Sequence, residues 1–230
     1  MATQRHSTYH RENLRQLLLD EAFAVVRTRG LEGLSVRELA RNLGVSTAAP
    51  FRHFESRQAL ISAMAEIAAV DLRQSFMRAL EAATSLPPLE RFAALGRAYV
   101  QWAAREPVYF LVVNDKATVD AVPALLDDHK TTYTLMSDQL LPIYGNDPGR
   151  LALALVGARA LVSGLARMAS DKNLRLWVPE ADFLALQEAV INLFTRHMAE
   201  AAGFSLAVDD APPASLQPPP RMAPKPPKIE

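Results

Sequence analysis

With 230 residues, half of them hydrophobic, the chain is long enough to bury one large core, or one large and one small. Its formal net charge is zero and it has no cysteine, which excludes disulfides and thiolate-built zinc sites. No apolar run approaches the roughly 20 residues that span a bilayer, and the first ten residues are polar with no signal-peptide core, so no membrane partner and a cytoplasmic location are expected.

Apolar residues recur at helical spacing with little alternation of period two, so the chain reads as all-α. Residues 1–10 are expected to be a flexible basic arm. A first helix over 11–28 carries Leu14, Leu17, Leu18, Ala22, Val25 and Val26 on its buried side, and Gly30 closes it. Ser35-Val36-Arg37-Glu38 is a capping-box pattern, serine at the cap and glutamate three residues on, so a second helix starts here. Val36, Leu39, Ala40 and Leu43 share one face of it, and Gly44 stops it, since glycine enters the left-handed region without a Cβ penalty.

Val45 can drop between helices, and Ser46 is the next cap, opening a helix of about two turns through Phe54. Pro50 then falls in its opening turn, where a missing N–H does limited damage. Helix, glycine turn and short helix are the helix-turn-helix pattern, whose second helix lies in the DNA major groove. Thr47, Ala48 and Ala49 are expected at base edges, Thr47 hydrogen-bonding and the alanines touching thymine methyls. Arg37, Arg52, His53 and Arg57 are expected at phosphates, which position without specifying. Nine arginines lie in the first sixty residues against fewer carboxylates, a local positive bias that phosphate contact requires. Ser56 caps the next helix, whose positive N-terminus beside Arg57 suits a phosphate.

At LSVRELARNLGVSTAAPFRHFESRQAL, residues 34–60, the sequence resembles the TetR/AcrR family of bacterial transcriptional regulators. The resemblance covers roughly the first 65 residues. One departure is Phe51, where the family usually has a tyrosine whose hydroxyl touches a phosphate, so one backbone contact is expected to be weaker. What it implies is a three-helix DNA-binding domain at 11–62 and a larger helical ligand-binding and dimerisation domain at 63–204.

In that second part the helix from residue 57 is expected to reach 83, where Ser85-Leu86-Pro87-Pro88 breaks it. Further helices are expected over 89–105, from about Pro107, over 124–140, over 150–170, and from Glu180 or Asp182 to about 200. Pro142, Gly145, Pro148 and Gly149 mark the loop before the 150–170 helix, which is rich in small residues that let backbones approach closely. LGRAYVQWAAREPVYFLVV, with Tyr99, Trp102, Ala103, Pro107 and Phe110, resembles the WHG-domain subgroup of TetR regulators, but the Trp-His-Gly feature itself keeps only Gly164. After residue 204 the chain turns to Pro, Ala, Ser and Lys, with eight of the sixteen prolines in the last twenty residues, so 205–230 is expected to be a disordered tail.

The family resemblance implies a homodimer held by the last two helices on a palindromic DNA operator, with a small-molecule effector, a largely apolar ligand, releasing a repressor. Tyr99, Trp102, Phe110, Tyr133, Met168 and Trp177 are candidate apolar walls of its site, with His129, Arg159 and Ser163 as polar anchors; each is equally a core residue type. No cofactor, metal site or catalytic residue is expected. Asp127, Asp128 and His129, or His197 with Glu200, have the right ligand types for a metal-binding enzyme but no matched second half. No HExxH, GxSxG or phosphate-cradling glycine loop is present. A protein-docking role for the large domain is the other alternative.

Overall fold

The computed structural model describes residues 3–115, 118, 123–171, 178 and 182–203, and every regular element among them is helical. The helices among the described residues are α1 (Thr3–Arg29), α2 (Val36–Asn42), α3 (Arg57–Ala82), α4 (Pro88–Arg105), α5 (Pro107–Asn114), α6 (Pro123–Tyr144), α7 (Pro148–Ser170) and α8 (Phe183–Ala201), with a 3₁₀ turn at Pro50–Arg52. They divide into two compact units, one of Met1–Glu81 with Arg105–Met136, the other of Ala82–Ala104 with Ser137–Glu230. The first helix starts at Thr3, within the stretch expected to be an arm. The expected tail at 205–230 lies outside the described residues.

In the first unit α1 packs against α2, α5 and the 3₁₀ turn. Its core takes Leu18, Leu19, Ala22 and Val26 from α1, Leu39 and Ala40 from α2, and Leu60, Met64 and Ala68 from α3. Leu19 is buried where the periodicity pointed to Leu17, which is 43% exposed. The buried stripe of α1 therefore sits slightly rotated from the sequence reading. Val108, Phe110, Val112 and Val113 are the buried side chains of α5, a helix begun by Pro107 at its first position, where no N–H is needed.

In the second unit α7 and α8 pack against each other. Gly96 on α4 faces both of its partner helices: an added Cβ there would be in ordinary contact with Ile191 Cγ2 at 3.4 Å and Val162 Cγ1 at 3.5 Å. Polar clasps fix the register: Arg97 Nη1 donates to Asn192 Oδ1 at 3.0 Å and Gln101 Nε2 to Glu188 Oε1 at 2.8 Å. The buried Gln187 donates to the Leu165 carbonyl at 3.1 Å, and the Tyr144 hydroxyl to the Met198 carbonyl at 2.8 Å, so neither polar group is left without a partner. Asp147 caps α7 by accepting from the Arg150 N–H, and Asp182 caps α8 by accepting from Leu184 and Ala185. Pro142, expected in a loop, lies inside α6, which continues through its last turn to Tyr144.

By length and composition α7 is apolar enough to cross a membrane, against the expectation that no stretch was, and only 28% of its most apolar window is buried. Its large exposed apolar side chains are Leu153, 75% exposed, and Val156, 70% exposed. Arg159, in the middle of the helix, turns instead onto the Tyr99 ring, 5.0 Å from its centroid.

Candidate nucleic-acid interface

The α2 helix ends as its residues require. Gly44 has φ 66°, its N–H bonds to the Arg41 carbonyl, and the Val45 N–H reaches back to Ala40, which together satisfy the helix's last carbonyls in a Schellman turn. The start of α2 is made differently from the expectation. Ser35 occupies the cap in extended conformation, but its side chain makes no capping bond; its carbonyl accepts from Glu38 and Leu39 instead. The Glu38 carboxylate pairs with Arg29 at 3.0 Å, so the glutamate of the apparent capping box ties α2 to the end of α1. Asn42 Nδ2 donates to Glu21 Oε1 at 2.7 Å, a second tie between the same helices.

After Gly44 the expected two-turn helix is absent. The Ala49 N–H bonds to Ser46, Arg52 to Ala49 and His53 to Pro50, each three residues back, and the only helical element is the 3₁₀ turn Pro50–Arg52. Pro50 explains this: lacking an N–H it cannot donate to Ser46, and the α-helical ladder is interrupted before it is established. The turn is still anchored, because Pro50 and Phe54 are buried and the Arg15 guanidinium lies 5.4 Å from the centre of the Phe54 ring.

That anchoring leaves one set of side chains outside. Ser46, Thr47, Ala48 and Arg52 are exposed, Phe51 is 45% exposed, and Ala49 and His53 are half-buried. Arg37 is exposed on α2. Arg57 is also exposed at its tip, but its donors are engaged: Nε bonds to the Leu34 carbonyl at 3.0 Å and Nη2 to the Leu31 carbonyl. It braces the loop between α1 and α2, a role that residue spacing does not display. Ser56 caps α3 as expected, its Oγ accepting from the Ala59 N–H at 3.0 Å. Two short helical elements, a left-handed glycine turn, and an exposed polar and small-residue strip over an apolar anchor define a helix-turn-helix DNA-binding module.

The candidate ligand residues are shared between the two units. Tyr99 and Trp102 on α4 lie with ring centroids 6.1 Å apart and Arg159 over Tyr99, all in the second unit, with Ser163 and Met168 half-buried on α7. Trp102 exposes none of its surface and Tyr99 only 2%, so both are buried in that unit. Phe110 is buried in the first unit, while His129 and Tyr133 are exposed on α6. Trp177 lies outside the described residues, as do the side chains of Asp127 and Asp128. Among the described residues, no three His, Cys, Asp or Glu gather as a metal site.

Comparison with known proteins agrees with this module. Residues 18–64 match the family of bacterial regulatory proteins, tetR family. A protein with unknown function from Rhodococcus sp. RHA1 is 29% identical, with a TM-score of 0.66 over 80% of this chain and 94% of that one. A TetR-family transcriptional regulator from Bordetella parapertussis is 20% identical, with a TM-score of 0.57 over 80% of this chain and 94% of that one. The transcriptional regulator FadR from Bacillus subtilis, solved in complex with stearoyl-CoA, shares the fold at 13% identity, with a TM-score of 0.59 over 78% of this chain and 97% of that one. No curated protein matches the chain. The chain is thus an all-α, DNA-binding regulator carrying the helix-turn-helix domain of the TetR family.

Proposed function

We propose that the protein is a homodimeric repressor that leaves a palindromic operator when a small, largely apolar ligand binds its larger helical domain. The observation that carries this reading is the exposed strip of Ser46, Thr47, Ala48, Phe51 and Arg52 on a buried apolar anchor, beside exposed Arg37. Thr47 and Ala48 are short enough for base edges, the hydroxyl hydrogen-bonding and the methyl meeting thymine; the arginines suit phosphates. Ala49 and His53, half-buried, are placed to support the strip as much as to touch DNA.

One such module covers too few base pairs to be specific, which is why helix-turn-helix proteins act in pairs on two-fold sites. The uncovered apolar side chains of α7, Leu153 and Val156, with Leu184 and Leu193 of its neighbour α8, supply a surface for a second copy. A regulator of DNA works where DNA is, in the cytoplasm. Release by a ligand follows the linkage between two binding events: whichever form of the protein the ligand prefers, DNA affinity shifts by the same factor. That a protein of this fold was solved with stearoyl-CoA supports an effector with a long apolar part.

Selection from a randomised duplex library tests this reading. The expected product is a two-fold symmetric site with half-sites about one helical turn or slightly more apart, bound by two protomers. Enrichment of asymmetric sites bound by one protomer, or no enrichment by a folded dimer, contradicts it.

A further inference from the structure

An open cleft of about 570 Å³ lies within the first unit, between one face of α1 and the corner where α4 passes into α5. Asp20, Phe23 and Arg27 line it from α1; Arg105, Glu106 and Tyr109 line it from the corner. Its volume falls in the range of small-molecule sites. None of these residues figures in the DNA-facing strip or in the candidate ligand set of the second unit.

The cleft has an aromatic floor and two unlike ends. Phe23 and Tyr109 pack with ring centroids 4.9 Å apart and tilted by 49°. Asp20 and Glu106 bring carboxylates to the tyrosine. Burial and then the charges of Glu106, Asp71 and Asp20 push the Tyr109 hydroxyl above its ordinary pKa, which marks this end as negative. Arg105 shares this end, its Nε 3.9 Å from Glu106 and its Nη2 donating to the Ser75 hydroxyl at 3.2 Å, but it is one cation against the three carboxylates of Glu106, Asp71 and Asp20 that act on Tyr109. Arg27 is two turns from Asp20 along α1, roughly 10 Å at 1.5 Å per residue, too far to meet the same head group.

We propose that this cleft binds an organic ammonium on a flat apolar body, its charge held by Asp20 and Glu106 and its body lying on Phe23 and Tyr109. Aromatic rings and carboxylates together are what an alkylated ammonium needs, because it is weakly hydrated and attracted to both the ring face and the negative charge. Arg27 sits where the far end of such a ligand would emerge and favours a hydrogen-bond acceptor there. The helix that forms one wall, α1, also packs against α2 and the Pro50–Arg52 turn, so a bound ligand touches the helix on which the DNA-facing strip rests.

Calorimetric titration of the full chain with benzyltrimethylammonium chloride, beside sodium phenylacetate and benzyl alcohol at matched ionic strength, tests the site. Saturable binding of the ammonium at one per protomer, with neither control binding comparably, is expected. Replacing the two exposed or half-exposed acids together, Asp20→Asn with Glu106→Gln, should weaken it by about tenfold or more, while Tyr109→Phe, which keeps the ring, should bind nearly as the natural chain does. Absence of saturable ammonium binding overturns the proposal. So does phenylacetate binding as tightly, which would make Arg27 and Arg105 the anchors, or undiminished ammonium binding by the doubly substituted chain.

Discussion

Arg57 and Arg52 are both exposed arginines in the recognised motif, yet their surroundings assign them different work. Arg57 holds the carbonyls of Leu31 and Leu34, so Arg57→Ala should cost about 1–2 kcal/mol of stability, read as a lower urea midpoint at unchanged m. Arg52, which holds no backbone carbonyl in this way among the described residues, should be replaceable by alanine with little loss of stability. Tyr144 offers a second residue-scale test. Its hydroxyl serves the buried Met198 carbonyl, and Tyr144→Phe should cost about 1 kcal/mol in the same denaturation experiment. Burial raises the pKa of Tyr144 even though the charge of Arg150 lowers it, and burial with nearby carboxylates raises that of Tyr109. An unfolded tyrosine titrates near about 10, so the native chain binds these protons more tightly; their contribution is full below that pH and is lost as pH climbs through the raised folded values. Replacing both with phenylalanine should flatten the loss of stability measured as pH rises above about 10.

At the scale of elements, what depends on backbone chemistry was legible in the sequence. Gly44 ends α2 and Ser56 caps α3 because a left-handed turn needs glycine and a helix start needs an oxygen close to free N–H groups, and both needs are local. The capping box at Ser35 was misleading because Glu38 has a better partner in Arg29, nine positions earlier, which no local pattern reveals. Pro50 had a stronger effect than its place in an opening turn suggested, reducing a helix to a 3₁₀ turn. The motif thus identified which side chains face outward more reliably than the helix that presents them. Small and apolar residues on α7 were legible as a packing face, but not which of them would stay uncovered. Leu153 is 75% exposed, so Leu153→Glu should leave the protomer's stability within about 0.5 kcal/mol and, by placing a charge in the proposed subunit contact, shift sedimentation from dimer to monomer. A dimer unaffected by that charge would move the subunit contact elsewhere.

For the whole molecule, the division of the chain is less linear than a reader followed by a ligand domain. The first compact unit joins the helix-turn-helix to α5 and the beginning of α6, so Phe110 and Tyr133 belong with α1 rather than with Tyr99 and Trp102. Long-range grouping of this kind is set by tertiary packing, and aromatic composition alone could not sort those residues between units. Each aromatic residue of the candidate ligand set fits a core and a ligand wall equally well, so residue type alone does not choose between the two roles.

The most direct test of the claim that the Ser46 to Arg52 strip, with Arg37, faces DNA is the salt dependence of affinity. On the site recovered by selection, the natural chain is compared with Arg37→Ala and Arg52→Ala over a range of salt concentrations. Each variant should bind more weakly by a similar factor on all variants of the site, and its slope of log affinity against log salt should fall by about one for the phosphate contact removed. Unchanged affinity and slope in both variants, with the natural chain still selecting its site, would mean that DNA is read from another surface.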